Sequence, residues 1–87
     1  MEVTKQIVAT KILAYLNHTL NLSDLVAWSE DMILTSSFEN GSETELREVL
    51  GSLGLIDHKN FGLLWEDCER MMQTLGFKVK IEALLAA

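Results

Sequence analysis

Residues 77–82, Phe-Lys-Val-Lys-Ile-Glu, constrain the fold of this chain more than any other stretch. Phe77, Val79 and Ile81 alternate with Lys78, Lys80 and Glu82, which is the period-2 pattern of a half-buried strand. Almost everything before it follows helical spacing. A strand cannot satisfy its own backbone N–H and C=O groups and must pair with another. The rest of the chain offers no strong second strand, so the pattern predicts pairing with a second copy as an antiparallel two-stranded ribbon. The internal alternative is residues 1–5, where Val3 is the one clear inward apolar residue.

The helical remainder reads as four main segments. The first spans about residues 4–19, with Ile7, Val8, Ile12, Leu13, Tyr15, Leu16 and Leu20 forming a broad apolar stripe. The second follows Asn21-Leu22-Ser23-Asp24, with Ser23 read as the N-cap and Asp24 suited to the positive helix start. Its Leu25, Val26, Trp28, Met32, Ile33 and Leu34 cover more than one face, as in a central helix or one shared with a partner. It ends near Ser36, and residues 37–42 read as a loop with an Asn40-Gly41 turn.

A capping box, Ser42-Glu43-Thr44-Glu45, opens the third helix, whose stripe is Leu46, Val49, Leu50 and Leu53. Gly54 then reads as a left-handed stop, with Leu55 folding back on Leu50. The fourth helix, about residues 64–75, carries Trp65 at its start and buries Cys68, Met71, Met72 and Leu75. It stops the same way, with Gly76 left-handed and Phe77 covering Met72. Between these two helices Asp57 reads as the cap of a short turn ended by Gly62, and the terminal Ala-Leu-Leu-Ala-Ala is compatible with helix. The matching ends, 22 residues apart, are two stops of one chemistry rather than a repeat.

The expected fold is therefore all-α: one domain over residues 1–87, a compact four-helix array with one short C-terminal strand that pairs across a homodimer. A chain of this length buries roughly 60–65% of its unfolded surface. Apolar residues make up 48% before its five glycines are counted, against about 45–50% with glycine in an ordinary domain. That excess also favours an oligomer interface, placed at Trp28, Met32, Phe77, Val79 and Ile81. Proline is absent, so no Pro-rich linker divides the chain. The start Met-Glu-Val-Thr-Lys lacks a signal-peptide pattern. Apolar runs such as residues 12–16 fall far short of the ~20 a membrane span needs. With a single cysteine no internal disulfide forms. These features predict a cytoplasmic protein with no membrane contact.

The net charge is −6, and it resides in residues 21–50, where Asp24, Glu30, Asp31, Glu39, Glu43, Glu45 and Glu48 face one base, Arg47. Acids and bases balance elsewhere. Such a field repels a phosphate backbone and attracts a basic protein surface, although the ordinary reading of such a segment is a solvated acidic face that aids solubility.

Leu46-Arg47-Glu48-Val49-Leu50, Leu53-Gly54-Leu55, Phe61-Gly62-Leu63, Trp65-Glu66-Asp67-Cys68-Glu69 and Leu75-Gly76-Phe77 resemble the corresponding stretch of a family of small uncharacterised bacterial helical proteins. The resemblance covers somewhat less than half the chain. It implies a bacterial, cytoplasmic protein and brings no activity, substrate or site residue with it.

No catalytic constellation stands out. His18, His58 and Cys68 are too widely separated for a zinc motif. Cys68 reads as a small buried core residue, and its neighbours Asp67 and Glu69 raise a thiol pKa instead of activating it. The adjacent pairs Glu30-Asp31 and Glu66-Asp67 diverge on a helix, and the glycines form no phosphate loop. Three helices and a strand loosely suit a winged helix, but the would-be reading helix sets Glu66, Asp67 and Glu69 against Arg70 alone. The expectation is a non-enzymatic acidic interaction module or regulator without cofactor or metal, neutralising a basic protein partner. The alternative is a nucleic-acid-binding regulator that uses Lys78 and Lys80 as a basic edge.

Overall fold

In a computed structural model, which describes residues 2–56, 63–80 and 83, the first ordered event is a strand. β1 (Glu2–Val3) leads into α1 (Lys5–Leu16), α2 (Leu22–Thr35), β2 (Ser37–Phe38), α3 (Glu43–Gly54) and α4 (Trp65–Thr74). The protein is mainly helical, as expected. The structure also holds a strand pair that the sequence reading does not include. β1 runs parallel to β2, with Glu2 opposite Ser37 and Val3 opposite Phe38. A parallel pair needs a long crossover, and α1 with α2 supplies it. Each strand is two residues long, too short to show a period in sequence. Val3 does point inward and is fully buried.

The C-terminal alternation takes a different form. Residues 77–80 are irregular and belong to neither strand. Phe77 and Val79 are half-buried against the core while Lys78 and Lys80 are exposed, so the alternation holds as burial. Ile81 and Glu82 lie outside the described residues, as do Asp57, His58, Gly62 and residues 84–87.

Helix ends follow local chemistry. Thr4 caps α1 through its hydroxyl, which accepts from the Ile7 N–H at 3.1 Å. Glu39, brought alongside by β2, accepts from the Lys5 N–H at 3.1 Å. One acid of the charged segment thus sits at a positive helix start, and the Glu39 N–H in turn donates to the Val3 carbonyl at 2.9 Å. Asn21, not Ser23, caps α2: its side-chain oxygen accepts from the Asp24 N–H at 2.8 Å, and Ser23 falls inside the helix. Ser42 does precede α3, but its ψ of 12° differs from the 162° and 163° of Thr4 and Asn21, and its hydroxyl makes no cap bond. The capping box is replaced by Glu43, which accepts from the Gly41 N–H at 3.1 Å.

The two glycine stops part company. Gly76 has φ 90°; its N–H donates to Gln73 and the Phe77 N–H to Met72 at 2.8 Å, the bond pair of a Schellman motif. Gly54 instead ends α3 in helical conformation, and Leu55 stays 87% exposed rather than folding back on Leu50. The same motif closes α1 with His18 in the left-handed place (φ 63°), the His18 N–H donating to Tyr15 and the Thr19 N–H to Ala14.

One core unites the described elements. Val3, Val8, Ile12, Leu25, Leu46, Leu50, Leu53, Cys68 and Leu75 are almost fully buried in it. α2 and α3 lie closest together. Ser29, itself buried, holds its hydroxyl 3.2 Å from the Leu50 carbonyl and 3.3 Å from that of Val26. A Cβ on Gly54 would lie 3.4 Å from Glu30 Cγ and 3.6 Å from Ser29 Oγ, so the end of α3 lies directly against α2.

Candidate functional site

The acidic segment is now a surface. Asp24, Glu30 and Asp31 of α2 and Glu43 and Glu48 of α3 are exposed, and Glu45 is half-exposed. Asp24 and Asp31 are seven residues apart and share one face of α2. Among the described residues the single ion pair is Arg70 with Asp67, at 2.6 Å, and none involves these acids. Arg47, the one base of the segment, lies 4.7 Å from the Phe38 ring centroid instead. Glu39 differs from the rest: its carboxylate is committed to the start of α1.

The five residues expected at an interface occupy unequal positions. Met32 is buried in the core and its sulfur accepts from the Ser36 hydroxyl at 3.2 Å. Trp28 is half-buried against the core, with Lys11 Nζ 5.4 Å from its ring centroid. Phe77 and Val79 rest on the core from the irregular C-terminal segment; Ile81 is outside the described residues. Among the described residues the most open large apolar side chains are others: Leu34 at 83%, Leu55 at 87% and Leu64 at 60%. Leu34 belongs to the two-sided pattern of its helix, whereas Leu55 and Leu64 stand just outside α3 and α4, where periodicity gives no signal.

A shallow cleft of about 70 Å³ opens between α3 and α4, lined by Glu48, Val49, Ser52, Arg70, Met71 and Thr74. Its polar rim carries opposite charges, but Arg70 is already engaged by Asp67, whose other oxygen accepts from the Leu64 N–H at 3.2 Å. Cys68, on the same helix as Met71, is fully buried, its thiol pKa pushed up to about 11 by burial and, secondarily, by the Asp67 carboxylate. It is a packing residue with no thiolate to offer at neutral pH. No group of three metal-ligating side chains occurs among the described residues, and no helix there is long and apolar enough to cross a membrane. No family model, curated protein or solved structure matches the chain.

Proposed function

We propose that this protein is a small acidic interaction module that receives a basic surface of another protein on its α2–α3 face. The observation that supports this is the set of exposed acids at residues 24, 30, 31, 43 and 48, with no ion pair among the described residues to neutralise them. Unpaired like charges on adjoining helices repel one another, and an opposing basic surface relieves that repulsion while steering association. The reading carries no catalytic step and no cofactor. It places the chain in a bacterial cytoplasm, where Cys68 stays reduced, in line with the family resemblance of residues 45–81.

The test is capture of host proteins at low salt by the native chain and by the double variant Asp24→Lys, Asp31→Lys. The native chain recovers a basic protein that 0.5 M salt releases and the variant loses. Recovery of the same proteins by both forms overturns the reading, and retardation of mixed DNA by the native chain replaces it with nucleic-acid binding.

A second reading, self-association into a homodimer, is favoured by the open side chains of Leu34, Leu55 and Leu64. Residues 77–82 supply the edge in that reading. Light scattering at micromolar concentration gives twice the chain mass if it holds; a monomer there removes it.

A further inference from the structure

We propose that α4, with its flanking residues from Leu63 to Phe77, undocks from the α1–α3 body as one unit while that body stays folded. The observation is how differently the two parts are joined. α1, α2 and α3 are tied to one another by polar links between distant positions: the β1–β2 pair, Lys5 with Glu39, and Ser29 with Leu50. α2 and α3 also approach directly at Gly54. From residue 63 to residue 79, a single hydrogen bond reaches the rest of the described chain, from the Tyr15 hydroxyl to the Leu63 carbonyl at 3.3 Å. The other hydrogen bonds of this stretch are internal: Asp67 to Leu64 and Arg70, Thr74 to Arg70, and the Gly76 stop.

Apolar packing therefore carries α4, through Cys68, Met71, Met72 and Leu75, and α4 meets α3 at far fewer positions than α2 does, with an open cleft lined in part by Val49 and Met71. Because the end caps of α4 lie within the unit, undocking breaks few hydrogen bonds, and local unfolding follows such boundaries. Undocking uncovers the Val49 flank of α3 together with Cys68 and the two methionines, an apolar surface absent from the docked form.

The chain carries a reporter on each side: Trp65 on α4 and Trp28 on α2. Urea unfolding of the full chain is followed by fluorescence in Trp28→Phe, which leaves Trp65, and in Trp65→Phe, which leaves Trp28. Cys68 labelling by an aromatic disulfide and amide hydrogen exchange are measured on the unaltered chain. The expected result is a Trp65 transition at lower urea than that of Trp28, with openings that expose Cys68 at least about tenfold more populated than those that expose α2 amides. Coincident tryptophan transitions, or one opening population for Cys68 and the α2 amides, overturn the proposal. The labelling and exchange arm stands even if a tryptophan variant fails to fold.

Discussion

The α2–α3 contact and the α3–α4 contact are made by the same helix and differ in almost every other respect. On one side α3 meets α2 with Leu50 fully buried, a buried hydroxyl between the helices and Gly54 against Glu30. On the other it meets α4 through side chains alone, with a cleft left at Val49 and Met71. Both contacts bury large apolar groups, but α3 runs against α2 at many positions and against α4 at few. The α2 contact also fixes backbone to side chain across the gap. Direction and close approach make an interface rigid, whereas apolar burial alone makes it adherent.

The largest test of that contrast is a pair of truncations. Leu50→Ala removes a fully buried side chain and costs about 2–5 kcal/mol, lowering the urea midpoints reported by Trp28 and Trp65 together. Met72→Ala removes a side chain that is also buried, but its effect falls on the Trp65 transition and leaves Trp28 within error. If Met72→Ala lowers the Trp28 midpoint as far as Leu50→Ala does, the two contacts are equivalent and the contrast fails.

A pH titration probes the α4 side without changing its shape. The Cys68 thiol ionises near 11 in the folded protein against 9.0 for its ordinary value. The unfolded chain therefore releases this proton first as pH rises. The stability this group contributes is complete below pH 9 and is lost as pH climbs through 11. The loss by pH 11 is on the order of 2 kcal/mol. Urea midpoints at pH 8, 9.5 and 11 should fall more steeply for the native chain than for Cys68→Ala, because every other group is common to both. Parallel slopes would mean the thiol meets water in the docked state.

How much of this was legible in the sequence depended on whether a signal was local. The four helices, the α4 stripe and the Gly76 stop follow from spacing and from one residue's conformational freedom, and each is present. Gly54, between Leu53 and Leu55, has apolar neighbours as Gly76 has in Leu75 and Phe77, but it behaves differently with α2 lying against it, a fact held 24 residues away at Glu30. His18 adopts the left-handed position without glycine, and no side-chain rule singles it out. β1 and β2 carry no sequence signal because two residues have no period and their partners are 35 positions apart. The acidic segment was visible as composition, but Glu39 as the clasp of α1 was not, since charge alone does not reveal which carboxylate a distant N–H will meet.

Ser29→Ala tests the polar link itself. One hydroxyl proton lies between two carbonyls, at 3.2 and 3.3 Å, and serves one of them at a time. Its removal leaves Leu50 and Val26 with their helical partners, so the loss is about 1 kcal/mol, an ordinary net hydrogen bond. The whole loss should appear in the Trp28 transition and in faster exchange of α2 and α3 amides. Appearance in the Trp65 transition alone would show that the link does not hold α2 to α3.

The smallest effect is expected where the geometry looks strongest. Arg70 and Asp67 meet at 2.6 Å, the shortest polar contact described here, yet the Arg70 side chain is 70% exposed and Asp67 lies one turn away on the same helix. Water competes for the guanidinium, and the pair joins α4 only to itself. Arg70→Ala should cost no more than about 0.5 kcal/mol, vanish in 1 M salt and leave Cys68 labelling unchanged. Asp67 keeps its second role, accepting from the Leu64 N–H at the start of the helix, so Asp67→Ala should cost more than Arg70→Ala. If Arg70→Ala instead speeds Cys68 labelling severalfold, Arg70 also closes the rim of the cleft opposite Glu48, and α4 would then have a polar tie to α3 after all.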